Sequence, residues 1–517
     1  QTVLGDVLPD NPVKISISQF YGVEINDFAV SVAMSALWIA ESQTLHETEI
    51  LLHKTIDYLP LKSNSNIHEG NALSMDWKSV IEEYRLNYIM GNPPFVGGMY
   101  MSEVQKTEIR KIFASVKGAG EFDYVCAWYK LASAYIENTH IHVAFVSTNS
   151  ICQGEQVPMF WKFIMQTYNI HIDFAYTTFV WNNEAKGQAK VHCVIIGFSS
   201  NQVTSAPKRL FNAGGNYKIC ENISPYLTDT PNFFIEPRSI PLCDVPPMRF
   251  GSMPRDGGGF VLSSEEKDDL IRSEPIASKW IKPYVGATEF LNNKKRYCLW
   301  LINAEPSELN KCPKVKKRIE YVRRFRAASK AEGTRKFAST PSVFCQIAQP
   351  DSDYIMVPKT SSGKRRYLPL GFQNKDTIAS DLVFLIPNAN LYEFGVLMSN
   401  VHNAWMRQVA GRLKSDYRYS KDIVYNNFPW PSPSVEQKAR IEKTAKVILE
   451  ARAAHSSSTL SEMYNDNLMP SDLRIAHQNN DRAVMQAYGF LVKGSTESDC
   501  VAKLMKLYQK KVNEKQI

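Results

Sequence analysis

The chain has 517 residues with 44% hydrophobic and 22% charged, and its 60 Lys and Arg against 52 Asp and Glu leave a formal net charge of +8. This length holds roughly three domains, and the composition excludes a disordered or fibrous chain. Nine cysteines without a CxxC pair fit neither a disulfide framework nor a zinc ribbon; the longest apolar run, near residues 30–40, is too short for a bilayer, and residues 1–10 lack a leader pattern, so a soluble, cytoplasmic protein with no membrane partner is expected.

Residues 19–25 (QFYGVEI) read as a strand and 28–41 as a helix. Further strands are expected at 86–90 (LNYIM), 142–147 (HVAFVS), 171–176 (HIDFAY) and 190–198 (KVHCVIIGF), with helices at 102–116, 124–136 and 159–168 between them. This alternation predicts an α/β sheet of parallel strands with crossover helices over residues 1–200. Residues 201–250, rich in Pro, Asn and Ser, read as a connector with local turns. Residues 251–434 are irregular and α+β in character. The segment FPWPSPS (428–434) can sustain neither helix nor inner strand, and 435–517 reads as helical.

Positive charge is concentrated. Residues 279–330 hold fourteen Lys and Arg against four Glu, a local charge of +10, which leaves −2 for the rest of the chain. A second cluster lies at Lys359, Lys364, Arg365 and Arg366, and a third at Arg407, Arg412, Lys414 and Arg418. Tyr321, Phe325, Tyr367, Tyr417 and Tyr419 are interleaved, the pattern of a polyanion binder. Any one cluster alone would be read as a solvated face; three in one half point to nucleic acid.

The stretch LNYIMGNPPFVGG (86–98) carries the chemistry. Two prolines after Asn92 stop the strand and fix an extended turn at its carboxyl end, where open α/β sheets bind ligands. The Asn92 amide oxygen and the Pro93 carbonyl then form a pair of acceptors suited to an amino group. Pro94 stiffens the turn, and Phe95 offers a face for a planar ring. Such a site makes a ring amine more nucleophilic by accepting its hydrogens as positive charge develops.

With YGVEIND (21–27), GNAL (70–73), FDY (122–124), STNS (147–150) and the run 187–198, this motif resembles the S-adenosylmethionine-dependent amino methyltransferases of the adenine-modifying branch. The second half is similar to the target-recognition region of MmeI-like type IIL restriction-modification enzymes, through IKPYVG (281–286), QPDSDY (349–354), RLKSDYRYS (412–420) and VYNNFPWP (424–431). The likeness continues into the helical tail around 468–488. It implies a class I methyltransferase sheet, incomplete at its amino terminus, followed by an α+β target-recognition domain and a helical carboxy-terminal domain. It also implies methyl transfer from S-adenosylmethionine to adenine in double-stranded DNA by direct displacement. By the same resemblance Glu24 accepts from the cofactor ribose and Ile25 packs on its adenine. Asn71, with Ala72 beside it, stands where many relatives carry an Asp facing the adenine amino group. Asn92, Pro93, Pro94 and Phe95 hold the flipped base, and Phe179 or Trp181, in the loop after the strand at Ala175, closes its other face.

Lys414, Asp416 and Arg418 alternate and so could share one face, with chemistry that reads base edges. Arg323, Arg324, Arg326, Lys364, Arg365 and Arg366 are expected at phosphates, which position without reading sequence. The pair His140 and His142 lacks a third ligand nearby and no metal site is expected. No Gly-rich cofactor loop precedes Glu24 and no nuclease signature is found; the expected explanations are a carboxy-terminal fragment of a longer polypeptide, with a nuclease domain upstream, or a separately encoded partner that completes the site, the fragment being preferred. The alternatives are a non-catalytic DNA-binding specificity module, or a methyltransferase acting on RNA or a protein amide.

Overall fold

The computed structural model describes residues 15–53, 66–181, 191–200, 207–413 and 416–515. It divides into two units, Gln1–Ile151 with Met159–Ile223, and Cys152–Pro158 with Ser224–Ile517.

The first unit begins with β1 (Gly22–Glu24), followed by α1 (Asp27–Leu52), capped by the Asn26 side chain, and β2 (Ile67–Glu69). β1 and β2 are parallel, with Glu24 beside Glu69. Then come β3 (Tyr88–Gly91), α2 (Glu103–Ile112), α3 (Cys126–Tyr135), β4 (His142–Thr148), α4 (Lys162–Tyr168), β5 (Ile170–Trp181), β6 (Val191–Ser200), β7 (Lys208–Phe211) and β8 (Tyr217–Cys220). They form one six-stranded sheet in the order β3-β4-β6-β5-β7-β8. β4 alternates half-buried and buried residues, the pattern of a strand with two unequal faces. α3 covers one face: Tyr129 stacks on Phe198 at 5.4 Å between ring centroids, meets Phe145 edge-on, and shares a hydrogen bond with Ser147.

The sheet is mixed, whereas the sequence pattern predicts parallel strands. β3 is parallel to β4 and β5 to β7, but β6 runs antiparallel to both β4 and β5. Only nine residues separate β5 from β6, too few for a helical crossover but ample for a hairpin. β7 and β8 lie within the stretch read as a connector; four-residue strands are too short to show alternation among Pro, Asn and Ser.

The second unit is built on three small sheets. In chain order its elements are β9 (Arg249–Phe250), β10 (Val261–Leu262), α5 (Ser264–Ser273), β11 (Ile281–Val285), β12 (Tyr297–Leu299), α6 (Pro313–Ala327), β13 (Tyr354–Pro358), β14 (Thr360–Ser361), β15 (Gly371–Gln373), β16 (Ile378–Ala379) and β17 (Val383–Pro387). Next are α7 (Leu391–Met398), α8 (Asn400–Val409), β18 (Gly411–Leu413), β19 (Asp416–Arg418), α9 (Val435–Ala454), α10 (Ser471–Ala487) and α11 (Glu497–Glu514). The sheet orders are β10-β12-β11-β16, β15-β13-β17-β9 and β14-β19-β18. β13 and β17 are buried at every residue, which is why they read as unbroken apolar runs. α7, α9 and α10 pack together: Asn480 donates to the Gly395 carbonyl at 2.7 Å and accepts from Thr444 at 3.0 Å. Among the described residues no helix is long and apolar enough to cross a membrane.

Candidate active site and nucleic-acid interface

β3 ends at Gly91, and Asn92 to Phe95 follow at once. Asn92 and Pro94 are exposed, Pro93 is buried and Phe95 half-buried. The turn is braced from behind, since Tyr124 N–H donates to the Val96 carbonyl at 2.9 Å. At Gly98 a β-carbon would lie 3.0 Å from the Glu121 carbonyl oxygen and 3.2 Å from its Cα. Only glycine lets these two loops close on each other without a shift. Buried Asp123 accepts from Thr148 Oγ1 at 2.7 Å and from Ser150 Oγ at 3.1 Å, tying the same loop to the end of β4. Asn149, also buried, donates to Thr178 Oγ1 on β5 at 3.5 Å. The NPPF, FDY and STNS segments, far apart in sequence, therefore meet at the carboxyl end of the sheet.

Phe179 and Trp181 were expected in a loop; both lie in β5 itself, paired with Cys193 and Val191 of β6. The strand runs on because β6 pairs with it from Ile170 to Trp181, across two register irregularities. Two residues apart, the two aromatics share a face, with ring centroids 6.2 Å apart. Because β5 runs in the direction of β3 and β4, this aromatic pair lies at the end where Asn92 emerges.

Glu24 ends β1, and its carboxylate accepts the Asn26 N–H at 3.3 Å, with lone pairs left for a pair of vicinal hydroxyls. Beside it Ile25 is 70% exposed, an apolar surface suited to a purine. This set fits an adenosyl group. Asn71 follows β2; its oxygen accepts the Leu73 N–H at 2.9 Å and its amide donates to Glu108 Oε1 at 2.6 Å. The carbonyl of half-buried Ala72 accepts from the Trp77 indole at 2.9 Å. β1 and β2 pair only with each other among the described residues, so sheet hydrogen bonds do not join them to β3. Glu108, on α2, and Tyr124 make the connection instead, and nothing in the sequence singles out Glu108 from an ordinary polar helix face. His142 pairs with Asp173, as does His171, and among the described residues no group of His, Cys, Asp and Glu could hold a metal ion.

In the second unit α6 buries Val315, Val322 and Arg326, while Lys316, Lys317, Arg323 and Arg324 stay exposed. Arg323 and Arg324 approach Glu320 at 3.5 and 3.9 Å and remain open to a phosphate. Arg326 does not match the expected phosphate contact. It is fully buried, and its guanidinium donates to five backbone carbonyls, those of Pro254, Arg255, Phe337, Thr340 and Val343, at 2.7–3.1 Å. The helical period turns position 326 inward while 323 and 324 face water.

The strands and loop that carry the described members of the second and third basic clusters adjoin one another. β14 pairs with β19 and β19 with β18, and Gly363 N–H donates to Asp416 Oδ1 at 3.3 Å. Tyr417 is buried beneath Arg412, whose guanidinium lies 3.7 Å from the ring centroid; Asp416 and exposed Arg418 take the other face. Lys414 lies outside the described residues. Lys364 and Arg366 are exposed, with Arg366 over the Tyr367 ring, while half-buried Arg365 donates to Ser461 at 3.0 Å. Arg407 donates to the Arg366 carbonyl at 2.8 Å and is itself held by both Glu497 oxygens, at 2.6 and 2.9 Å. The helices after residue 434 thus brace the loop 364–366, an arrangement no local motif announces.

Asp481 belongs to that brace. It accepts from Tyr367 Oη at 2.7 Å and from Asn400 N–H at 2.6 Å, and burial pushes its carboxyl up to about 6. A raised acid pKa means that the folded state holds this proton more tightly than the unfolded one, so its contribution to stability falls as pH rises from about 4 through 6. In urea titrations Asp481→Asn should remove this dependence. Relative to the variant, the native protein should gain up to about 3 kcal/mol between pH 7 and pH 4.

Family-level comparison matches residues 2–212 to the MmeI DNA-methyltransferase domain, 229–432 to the MmeI target recognition domain and 434–515 to the MmeI C-terminal domain. DNA methyltransferase A of Bacillus subtilis (strain 168) is 39% identical over 512 residues, covering 98% of this chain and 58% of the relative, so the chain spans a little over half of that protein's length. A solved structure of the type IIL restriction-modification enzyme MmeI in complex with DNA superimposes with a TM-score of 0.83 at 41% identity, covering 97% of this chain and 67% of that one.

Proposed function

Because the chain belongs to the MmeI family of type IIL restriction-modification enzymes, we propose that it methylates the exocyclic amino group of adenine at specific sites in double-stranded DNA, with S-adenosylmethionine as donor. The observation that carries this reading is the braced Asn92–Phe95 turn at the carboxyl end of β3, with Asn92 exposed and the aromatic pair of β5 at the same end. Asn92 Oδ1 and the Pro93 carbonyl accept the two amino hydrogens of the flipped base. They orient its nitrogen and stabilise the positive charge that grows there. Pro94 limits the turn's freedom, and Phe95 with Phe179 or Trp181 holds the ring between faces. Glu24, Ile25, Asn71 and Ala72 hold the adenosyl group. When bound, S-adenosylmethionine supplies an electrophilic methyl carbon, so that direct displacement needs no covalent enzyme intermediate.

We assign methyl transfer to the first unit, whose sheet takes in β7 and β8 of the stretch read as a connector, target recognition to 251–434 and bracing of the loop 364–366 to 435–517. Nine cysteines, none of them in a disulfide, accord with a cytoplasmic setting. Incubating the natural full-length protein with labelled S-adenosylmethionine and unmethylated duplex DNA, then digesting to nucleosides, should place label in 6-methyladenine. Binding of DNA with no label in any nucleoside would leave a specificity module instead.

Within the recognition half, Arg323, Arg324, Lys364 and Arg366 serve phosphates, with Arg365 at the margin. Asp416, Arg418 and Lys414 serve base edges. Alanine at any one of the first four should weaken binding to all sequences alike and reduce the salt slope by about 1 per lost phosphate contact. Alanine at Asp416 or Arg418 should instead change which sequence is methylated. Affinities measured at several salt concentrations on cognate and scrambled duplexes separate the two groups.

A further inference from the structure

We propose that Glu108 is a positioning residue, joining the loop that holds the cofactor to the loop that holds the target base, and that it is the reason Asn suits position 71. The inference rests on the methyltransferase reading above. Glu108 accepts from the Asn71 amide at 2.6 Å on one oxygen and from Tyr124 Oη at 2.5 Å on the other. Asn71 belongs to the turn after β2, where its own oxygen is oriented by Leu73 N–H at 2.9 Å. Tyr124 belongs to the turn that braces the Asn92–Phe95 segment through its N–H on the Val96 carbonyl. One carboxylate therefore spans the two halves of the site, which no strand pairing connects among the described residues. Burial, together with the neighbouring Glu108, holds the Tyr124 phenol well above its ordinary pKa, so it remains a donor throughout the working range.

This arrangement determines what position 71 can carry. An Asp there would set two carboxylates face to face at hydrogen-bond distance, and they could not both stay ionised. An Asn presents N–H to Glu108 and keeps its oxygen towards Leu73, with a lone pair left for an amino group. Exchanging the two chemistries, Asn71→Asp with Glu108→Gln, preserves every hydrogen bond: the Gln amide donates to Asp, and its oxygen accepts from Tyr124.

The test is a double-mutant cycle in the natural full-length protein, reading S-adenosylhomocysteine affinity by calorimetry, methylation kinetics on duplex DNA, and thermal melting as a check of folding. Asn71→Asp alone should weaken cofactor binding about 10–100-fold, the share of a charge-assisted hydrogen bond. Adding Glu108→Gln should restore it to within about threefold. Tyr124→Phe, which cuts only the link to the base loop, should lower kcat while leaving cofactor affinity unchanged, and it serves equally if Asn71→Asp fails to fold. Additive effects in the cycle, or a Tyr124→Phe enzyme with native kcat, would overturn the inference while the native protein still methylates DNA. A native protein that binds no cofactor would overturn it together with the methyltransferase reading, and so is a different result.

Discussion

An Asn92→Ala enzyme is expected to keep its fold, its cofactor affinity and its affinity for DNA, and to transfer methyl groups about 10²–10³-fold more slowly. The size follows from what the side chain does. On the proposed reading its oxygen is one of two acceptors for the amino hydrogens, and its interaction strengthens only as the nitrogen gains positive charge, so its loss falls on kcat. The fold should not notice. Asn92 is exposed, and the turn that carries it is held by Val96, Gly98 and the buried Pro93, so the stability change should stay within about 0.5 kcal/mol. Single-turnover methylation alongside a urea titration checks both halves. A variant that loses DNA binding or stability in proportion to its activity would assign Asn92 a role in shape instead.

Arg326→Met is expected to do the opposite, costing the second unit at least about 3–5 kcal/mol. Five carbonyls on two separate stretches, 254–255 and 337–343, would each lose a charge-assisted hydrogen bond at once, with those of Phe337 and Thr340 keeping a long backbone donor, and the methionine has nothing to offer them. Against typical stabilities of about 5–15 kcal/mol, that is a large share of the total and should show as a clear fall in melting temperature. Arg324→Met, two positions earlier on α6 but exposed, should leave melting unchanged while lowering DNA affinity and its salt slope. If Arg326→Met melted like the native protein and lost only DNA binding, the buried staple would be wrong and the phosphate contact expected from sequence would be right.

The two arginines mark the limit of what charge counting can resolve. A basic run identifies a helix that faces a polyanion, because net charge is a property of composition. Which member of the run turns inward depends on where the helix is anchored, and α6 is anchored by Val315 and Val322 packing beneath it. The same limit applies to Phe179 and Trp181: an apolar, aromatic stretch was legible, but the length of β5 depends on how far β6 offers hydrogen bonds. Arg365, expected among the phosphate contacts, is half-withdrawn by Ser461, which lies nearly a hundred residues on.

What the sequence determined by itself was the backbone turn at the end of β3. A strand, a glycine, an amide and two prolines specify a backbone path through local steric rules, and a local rule needs no fold to apply. The order of the strands and helices around it, and the concentration of positive charge in the second half, were legible for the same reason. Only the tertiary structure decided that Asn71 and Tyr124 share Glu108, that Asp123 ties its loop to the end of β4, that Arg326 is a staple, and that Arg407 and Glu497 hold the loop 364–366. Each of these is a hydrogen bond between residues brought close by packing, and neither partner carries a local signature of the other. The identity of a side chain tells which bonds it can make; the burial of its neighbours decides which of them it does make.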